Sequence, residues 1–301
     1  MPTAAFCVVW FSSLPVRGSF GLLSLGENTE YNSVMSDTKE KRITVPDFVG
    51  FKAAGQKITM LTAYDYTSAR LVDAAGVEGV LVGDSLGMVV QGRENTLPVS
   101  LGEMIYHAEI VGRAVRHALT VVDMPFPSFH LGRRRAVANA ARLLKRTRCQ
   151  AVKIEGGVEQ ADVIEALTSA GIPVMAHCGL RPQSIHQLGG YRVQRDEARL
   201  TADAQASQQA GAFAIVLECI PAQTARQITA ELRIPTIGIG AGPGCDGQIL
   251  VFHDLLGLTI DRLPRHVRPF ADLKTTIVDA VSRYRNEVRS GAFPGPDQSF
   301  E

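Results

Sequence analysis

From Lys57 onward, short apolar runs rich in Val, Ile and Ala alternate with longer stretches whose apolar residues recur every three or four positions. The short runs show little polar alternation, the pattern of strands buried on both faces of a parallel sheet. The longer stretches read as amphipathic helices. Ile58 to Ala63 is the first strand, and Thr67 or Ser68 caps a helix that Gly76 ends. Ser100 with Glu103 makes a capping-box pattern ahead of a helix from Leu101 to Arg116. Further helices are expected over Ala136 to Lys145, Ala161 to Ala170, Asp203 to Ala210 and Ala222 to Leu232. Pro235 to Gly240 is the seventh strand, Asp246-Gly247 reads as a turn, and Gln248 to Phe252 is a short eighth. Phe270 to Val288 reads as an outer helix with Leu273, Ile277, Ala280, Val281 and Tyr284 on its apolar face. Eight β-then-α steps in 301 residues predict an α/β fold, a (β/α)8 TIM barrel in preference to an open doubly wound sheet.

Five of the strand runs end in an acidic or histidine side chain: Val80 to Asp84, Thr120 to Asp123, Ala151 to Glu155, Val174 to His177 and Ala214 to Glu218. In a parallel barrel the C-terminal strand ends open into one mouth, so these groups are expected to converge there. Carboxylates crowded in a dry mouth repel one another, and a cation relieves that repulsion.

Composition narrows the function classes. A chain that is 46% hydrophobic and 20% charged suits one large globular domain, here residues 35–301. A net charge of +1 gives no field for nucleic acid. Arg133-Arg134-Arg135 reads as a solvated helix start, since no aromatic residues are interleaved with it. The five cysteines are scattered without CxxC spacing, which fits a reducing, cytoplasmic compartment. No apolar stretch is long enough to span a bilayer, so no membrane partner is expected. Residues 1–34 show no helical period and read as a disordered extension or a mis-assigned start.

Asp84, Asp123 and Glu155 end strands two, three and four, and three neighbouring carboxylates form a hard oxygen site suited to Mg2+. The plainer alternative is that each caps the helix after its strand. Lys153, two residues before Glu155, shares its face of the strand. It can pair with a substrate oxygen, form a Schiff base, or salt-bridge to a barrel acid. Glu218 stands among Leu217, Cys219, Ile220 and Pro221, an apolar setting suited to a general base; helix capping is the alternative. His177 faces the same mouth, where it supports the substrate or a metal water, or is simply a satisfied buried histidine. Ser85 brings a hydroxyl and an N–H to the loop after Asp84, suited to a carboxylate oxygen. Gly238 to Gly242 lacks the spacing of a dinucleotide site.

Taken in order, Thr62 to Tyr66, Val82 to Met88, Thr96 to Val99, Asp123 to Phe126, Val152 to Gly157, Gly189 to Tyr191 and Gly238 to Gly242 resemble the ketopantoate hydroxymethyltransferase family over about residues 42–300. The resemblance implies a (β/α)8 barrel of the phosphoenolpyruvate/pyruvate type, assembled as a homodecamer. It implies transfer of a hydroxymethyl group from 5,10-methylenetetrahydrofolate, as cosubstrate, to 3-methyl-2-oxobutanoate, giving 2-dehydropantoate in the first step of pantothenate biosynthesis. It assigns Mg2+ to Asp84, Asp123 and Glu155, partly through waters. The oxo acid falls to Asp84, Ser85, Asp123 and Lys153, and the proton acceptor is Glu218. Two loops depart from the family pattern, at Pro127 to Arg133 and Arg192 to Asp196. A lyase or aldolase of the same barrel type and a non-catalytic carboxylate-binding barrel remain as alternatives.

Overall fold

Eight parallel strands close on themselves in the computed structural model, which describes residues 41–260 and 263–300. They are β1 (Ile58–Thr62), β2 (Gly79–Val82), β3 (Leu119–Asp123), β4 (Ala151–Glu155), β5 (Val174–Gly179), β6 (Ala214–Glu218), β7 (Thr236–Ile239) and β8 (Gly247–Leu250). Each pairs with the next, and β1 with β8 closes the ring, Ile58 opposite Gly247. The (β/α)8 expectation is met. The expectation for residues 1–34 lies outside the described residues.

Period-two alternation divides each strand between two cores. Val80, Val82, Val122, Val152, Ile154, Val174, Ala176, Ile215 and Leu217 face the helices in the larger apolar cluster. Met60, Leu81, Val121, Ala151, Met175, Val216 and Ile237 fill the barrel interior in a second cluster. Two residues further along the interior face, the same alternation places Asp123 after Val121, Lys153 after Ala151, His177 after Met175 and Glu218 after Val216. The interior is therefore apolar at its base and charged at its C-terminal mouth.

The sequence did not announce α1 (Val45–Ala53), although Thr44 and Asp47 form a capping box and Pro46 sits in its first turn. Its Phe48 is fully buried in the interior cluster, edge-on to Phe213 at 5.8 Å, so α1 closes the base of the barrel. Burying one such ring contributes roughly 2–3 kcal/mol.

The remaining helices are α2 (Tyr66–Ala74), α3 (Leu86–Val89), α4 (Leu101–Ala114), α5 (Arg133–Arg146), α6 (Ala161–Ser169), α7 (Ile185–Leu188), α8 (Glu197–Gln209), α9 (Ala222–Glu231), α10 (Phe252–Leu255) and α11 (Leu273–Ser290). The Ser100–Glu103 capping box opens α4 as expected, and all three arginines at the start of α5 are exposed. Several boundaries differ. Asp65, not Thr67 or Ser68, caps α2, because Asp65 has extended backbone and its carboxylate accepts the Ser68 N–H at 2.9 Å. Helix α4 stops at Ala114 because the buried Asp73 carboxylate captures the N–H groups of Arg116 and Ala118 at 2.7 and 2.9 Å.

Helix α8 begins at Glu197 on the Asp196 cap, ahead of its first buried residue, Leu200. Asp246 is no ordinary turn residue: its carboxylate takes the Lys52 ammonium at 2.8 Å and the Thr236 N–H at 2.9 Å, and Gly247 opens β8. Strand β8 ends at Leu250, since Phe252 already starts α10, its N–H donating to Thr62 Oγ1 at 2.9 Å. Helix α11 forms as the periodicity predicts, but none of its residues is buried.

Candidate active site

The barrel mouth gathers every candidate named from the sequence. Asp84, Asp123, Lys153, Glu155 and His177 are each at most 5% exposed. Gly83 makes the β2 exit compact. A Cβ there would fall 2.8 Å from Ser85 Oγ, so glycine lets the chain turn beneath both Ser85 and Asp123. The Asp84 N–H then donates to Asp123 Oδ2 at 3.0 Å. Ser85 leaves its own helix uncapped, and its hydroxyl lies 2.8 Å from the hydroxyl of the buried Tyr64.

A line of charge crosses the mouth over four neighbouring strands. Lys153 Nζ lies 3.1 Å from Asp123 Oδ1 and 3.2 Å from His177 Nδ1. Because an ammonium can only donate, His177 Nδ1 is the acceptor and the ring's proton resides on Nε2. That nitrogen stands 3.1 Å from Glu218 Oε2. The approach is oblique, so the contact is electrostatic at hydrogen-bond distance and not a linear bond. Glu155 Oε1 is 3.8 Å from the other ring nitrogen.

Titration follows from this arrangement. Burial alone would lower the Lys153 pKa, but Asp123, Glu155 and Asp84 outweigh it and raise it above the ordinary lysine value, so the ammonium is fixed. Burial, with Lys153 adding to it, lowers His177 and keeps the ring neutral. Burial and the charge of Asp123 push Asp84 up to about 7. Burial and the charge of Asp84 raise Glu155 well above the usual carboxylate range. A single buried ammonium is thus too little countercharge for the acids around it.

Gln183, in the loop after β5, was not singled out from the sequence. Its backbone N–H donates to Glu155 Oε2 at 3.0 Å, and its side-chain amide donates to Asp84 Oδ2 at 2.8 Å and to the Met124 carbonyl at 3.0 Å. No motif marks it, since a lone Gln after Pro182 has no special chemistry until the fold brings it across the mouth. It lines a cavity of about 130 Å³ with Glu155, His130, Glu159 and Arg181.

On the Glu218 side, Cys219 has φ 48°, left-handed backbone that a residue with a Cβ adopts at a cost. It is held by its N–H to the Ile239 carbonyl and by its carbonyl to the Gln194 N–H, both at 2.9 Å. Gly179, also at positive φ, lies so close to the Glu218 carbonyl that a side chain would collide with it.

The acids suit an oxygen-ligated divalent ion. Among the described residues no group of three His, Cys, Asp or Glu side chains is placed to hold a metal ion by direct ligation alone, and Mg2+ is usually bound by one or two carboxylates together with waters and substrate oxygens. The fit rests on the crowding of the buried Asp84, Asp123 and Glu155 around one ammonium.

Residues 42–296 match the family model for ketopantoate hydroxymethyltransferase. The chain is 53% identical over 266 residues to 3-methyl-2-oxobutanoate hydroxymethyltransferase of Rhodopirellula baltica, covering 88% of this chain and 99% of that one. It is 55% identical over 269 residues to the enzyme of that name from Pelobacter propionicus, covering 88% and 100%. Among solved structures it is similar to a phosphonopyruvate hydrolase complex with oxalate and Mg2+, with TM-score 0.57 and 13% identity, over 85% of this chain and 93% of the other. It is also similar to 2,3-dimethylmalate lyase of the PEP mutase/isocitrate lyase superfamily, with TM-score 0.54 and 19% identity, over 86% and 92%. At such identities the structural likeness speaks for the barrel alone, whereas the family match runs over residues 42–296, the stretch that holds all eight strands. The chain belongs to the ketopantoate hydroxymethyltransferase family.

Proposed function

We propose that this protein hydroxymethylates 3-methyl-2-oxobutanoate, with 5,10-methylenetetrahydrofolate as one-carbon donor and Glu218 as the base that takes the C3 proton. The observation that carries this reading is the polarised line Asp123–Lys153–His177–Glu218, positive in the middle and carboxylate at each end. Atoms balance with one water. The C3–H bond breaks and C3 bonds to the one-carbon unit. The water oxygen becomes the new hydroxyl, and the C3 proton and one water proton end on the two folate nitrogens.

Asp84, Asp123 and Glu155 would hold Mg2+, in part through waters. When bound, the ion supplies Lewis acidity to the carboxylate and keto oxygens of the oxo acid, favouring enolate formation at C3. The chain's own groups do the rest. Lys153 holds a fixed positive charge at the substrate oxygens, and Ser85, Asp84 and Asp123 orient the oxo acid. His177, neutral with its proton on Nε2, steadies Glu218 Oε2 and leaves the other carboxylate oxygen free for the C3 proton.

A Schiff-base aldolase is disfavoured, since an ammonium fixed by surrounding acids is no nucleophile. The four free cysteines of the described residues fit a reducing cytoplasm. No helix of the described residues is long and apolar enough to cross a membrane. The exposed Ile277, Val278, Val281, Tyr284 and Val288 of α11 support a homo-oligomer; the number ten rests on the family resemblance. The test is NMR detection of the hydroxymethylated product from 3-methyl-2-oxobutanoate, 5,10-methylenetetrahydrofolate and Mg2+. Absence of product, with substrate recovered unchanged, contradicts the reading.

A further inference from the structure

We infer that Gln183 is the positioning residue of the cation site, holding the exits of β2 and β3 through its side-chain amide and the end of β4 through its backbone N–H. Its three hydrogen bonds go to Asp84 Oδ2, the Met124 carbonyl that follows Asp123, and Glu155 Oε2. These partners lie 99, 59 and 28 residues away in the chain, so nothing local holds them together. The inference rests on the proposed cation reading and deepens it.

The choice of an amide has a chemical reason. Asp84 and Glu155 repel each other, and each needs a donor to stay in place. An arginine or lysine there would supply donors, but its charge would compete with a divalent ion for the same oxygens. The Gln183 NH2 group donates to two oxygens and adds no charge. The orientation of the amide follows from its partners, since a carboxylate and a carbonyl can only accept. Each clamped acid is held by one oxygen, Oδ2 of Asp84 and Oε2 of Glu155, which leaves Oδ1 and Oε1 to an ion or its waters.

The far side of the same amide points to a ligand independently. Gln183 is 6% exposed, and its Oε1 is buried without a hydrogen-bond partner in a residue that lines the cavity beside Glu155. A buried acceptor left unpaired costs free energy comparable to a lost hydrogen bond. A water on the cation is the donor that would satisfy it, and partners of this outer kind typically change metal affinity about 10- to 100-fold.

The test uses Mn2+ as probe, titrated into the full-length protein and followed by electron paramagnetic resonance of the free ion, with melting temperature recorded for each variant. Gln183→Met keeps the size and the backbone N–H to Glu155 but removes the side-chain donor and acceptor. Gln183→Asn keeps the amide but falls one methylene short of Asp84. Both are expected to weaken Mn2+ binding about 10- to 100-fold with C3 exchange recovering toward the parental rate at saturating Mn2+. Parental protein that binds no Mn2+ overturns the cation reading itself. Parental binding with both variants within about twofold of it overturns the clamp alone. Weaker binding whose exchange does not recover at saturating Mn2+ also overturns it, because the residue would then serve the chemistry or the fold and not the site's arrangement. Should Gln183→Met fail to fold, Gln183→Asn decides.

Discussion

His177 Nε2 and Glu218 Oε2 lie 3.1 Å apart at the C-terminal ends of β5 and β6, and Lys153 on the far side of the ring determines that this nitrogen carries the proton. The relationship makes His177 a positioning residue for Glu218, the proposed base. Contacts of this kind are often oblique before substrate arrives and tighten with it. His177→Ala should slow deuterium exchange at C3 of 3-methyl-2-oxobutanoate by about 100-fold, the scale of a 1 Å misplacement, with substrate affinity little changed. His177→Gln, whose amide nitrogen reaches the Nε2 position, should recover most of the rate. Equal losses in both variants would show that the ring acts otherwise.

Asp84 ties stability to pH. Its folded carboxyl holds a proton up to about pH 7, against 3.8 for the ordinary group. Between those values the folded chain binds more protons than the unfolded one, so stability falls as pH rises through that window. Glu155, also raised, acts in the same direction. Mg2+ favours the charged acids and should offset the loss. Melting curves should show a larger Mg2+-induced rise in Tm at about pH 8 than at about pH 5. Asp84→Asn, whose amide oxygen can still face Gln183, should flatten both the pH slope and the Mg2+ response. A Tm rise on Mg2+ addition that is independent of pH would contradict this.

Lys153 is held as an ammonium by Asp123 and its neighbours. Activity should therefore survive borohydride in the presence of substrate and be lost on chelation of divalent ions. Intact-mass analysis that finds a reduced adduct on Lys153, or turnover that resists chelator, would favour the aldolase alternative.

Gly179 has φ 96° and its Cα faces the Glu218 carbonyl with no room for a methyl group. Gly179→Ala should destabilise the fold by roughly 2–3 kcal/mol and displace the Glu218-bearing end of β6. Denaturant unfolding checks the first effect and C3 exchange the second. A variant with parental stability and exchange would show that the close approach is relaxed easily.

The sequence was most legible where burial is complete. Short Val- and Ile-rich runs bounded by turns read as two-sided strands, and a strand's period of two then carries Asp123, Lys153, Glu155, His177 and Glu218 to one face of the barrel. Helix starts were less legible, because Asp65 and Asp196 cap through backbone geometry that competing Thr, Ser and Asp residues nearby obscure. The periodicity of α11 gave the helix and its apolar face but not that the face lies open in the single chain, since an amphipathic pattern does not say what packs against it. Gln183 was invisible for another reason. Its role comes from bonds to residues 28 to 99 positions away, and a neutral amide leaves no trace in charge or periodicity.

Glu218 is proposed to remove the C3 proton at a site that binds the oxo acid through other groups. The most direct measurement is the rate of C3 deuterium exchange in 3-methyl-2-oxobutanoate by Glu218→Gln, followed by NMR in the presence of Mg2+, alongside its substrate affinity. Gln keeps the size of the side chain but cannot take the proton, so exchange should fall by about 100- to 10,000-fold while affinity stays within a few-fold of the parent. Exchange at the parental rate would contradict the account and move the role of base to another group at the mouth.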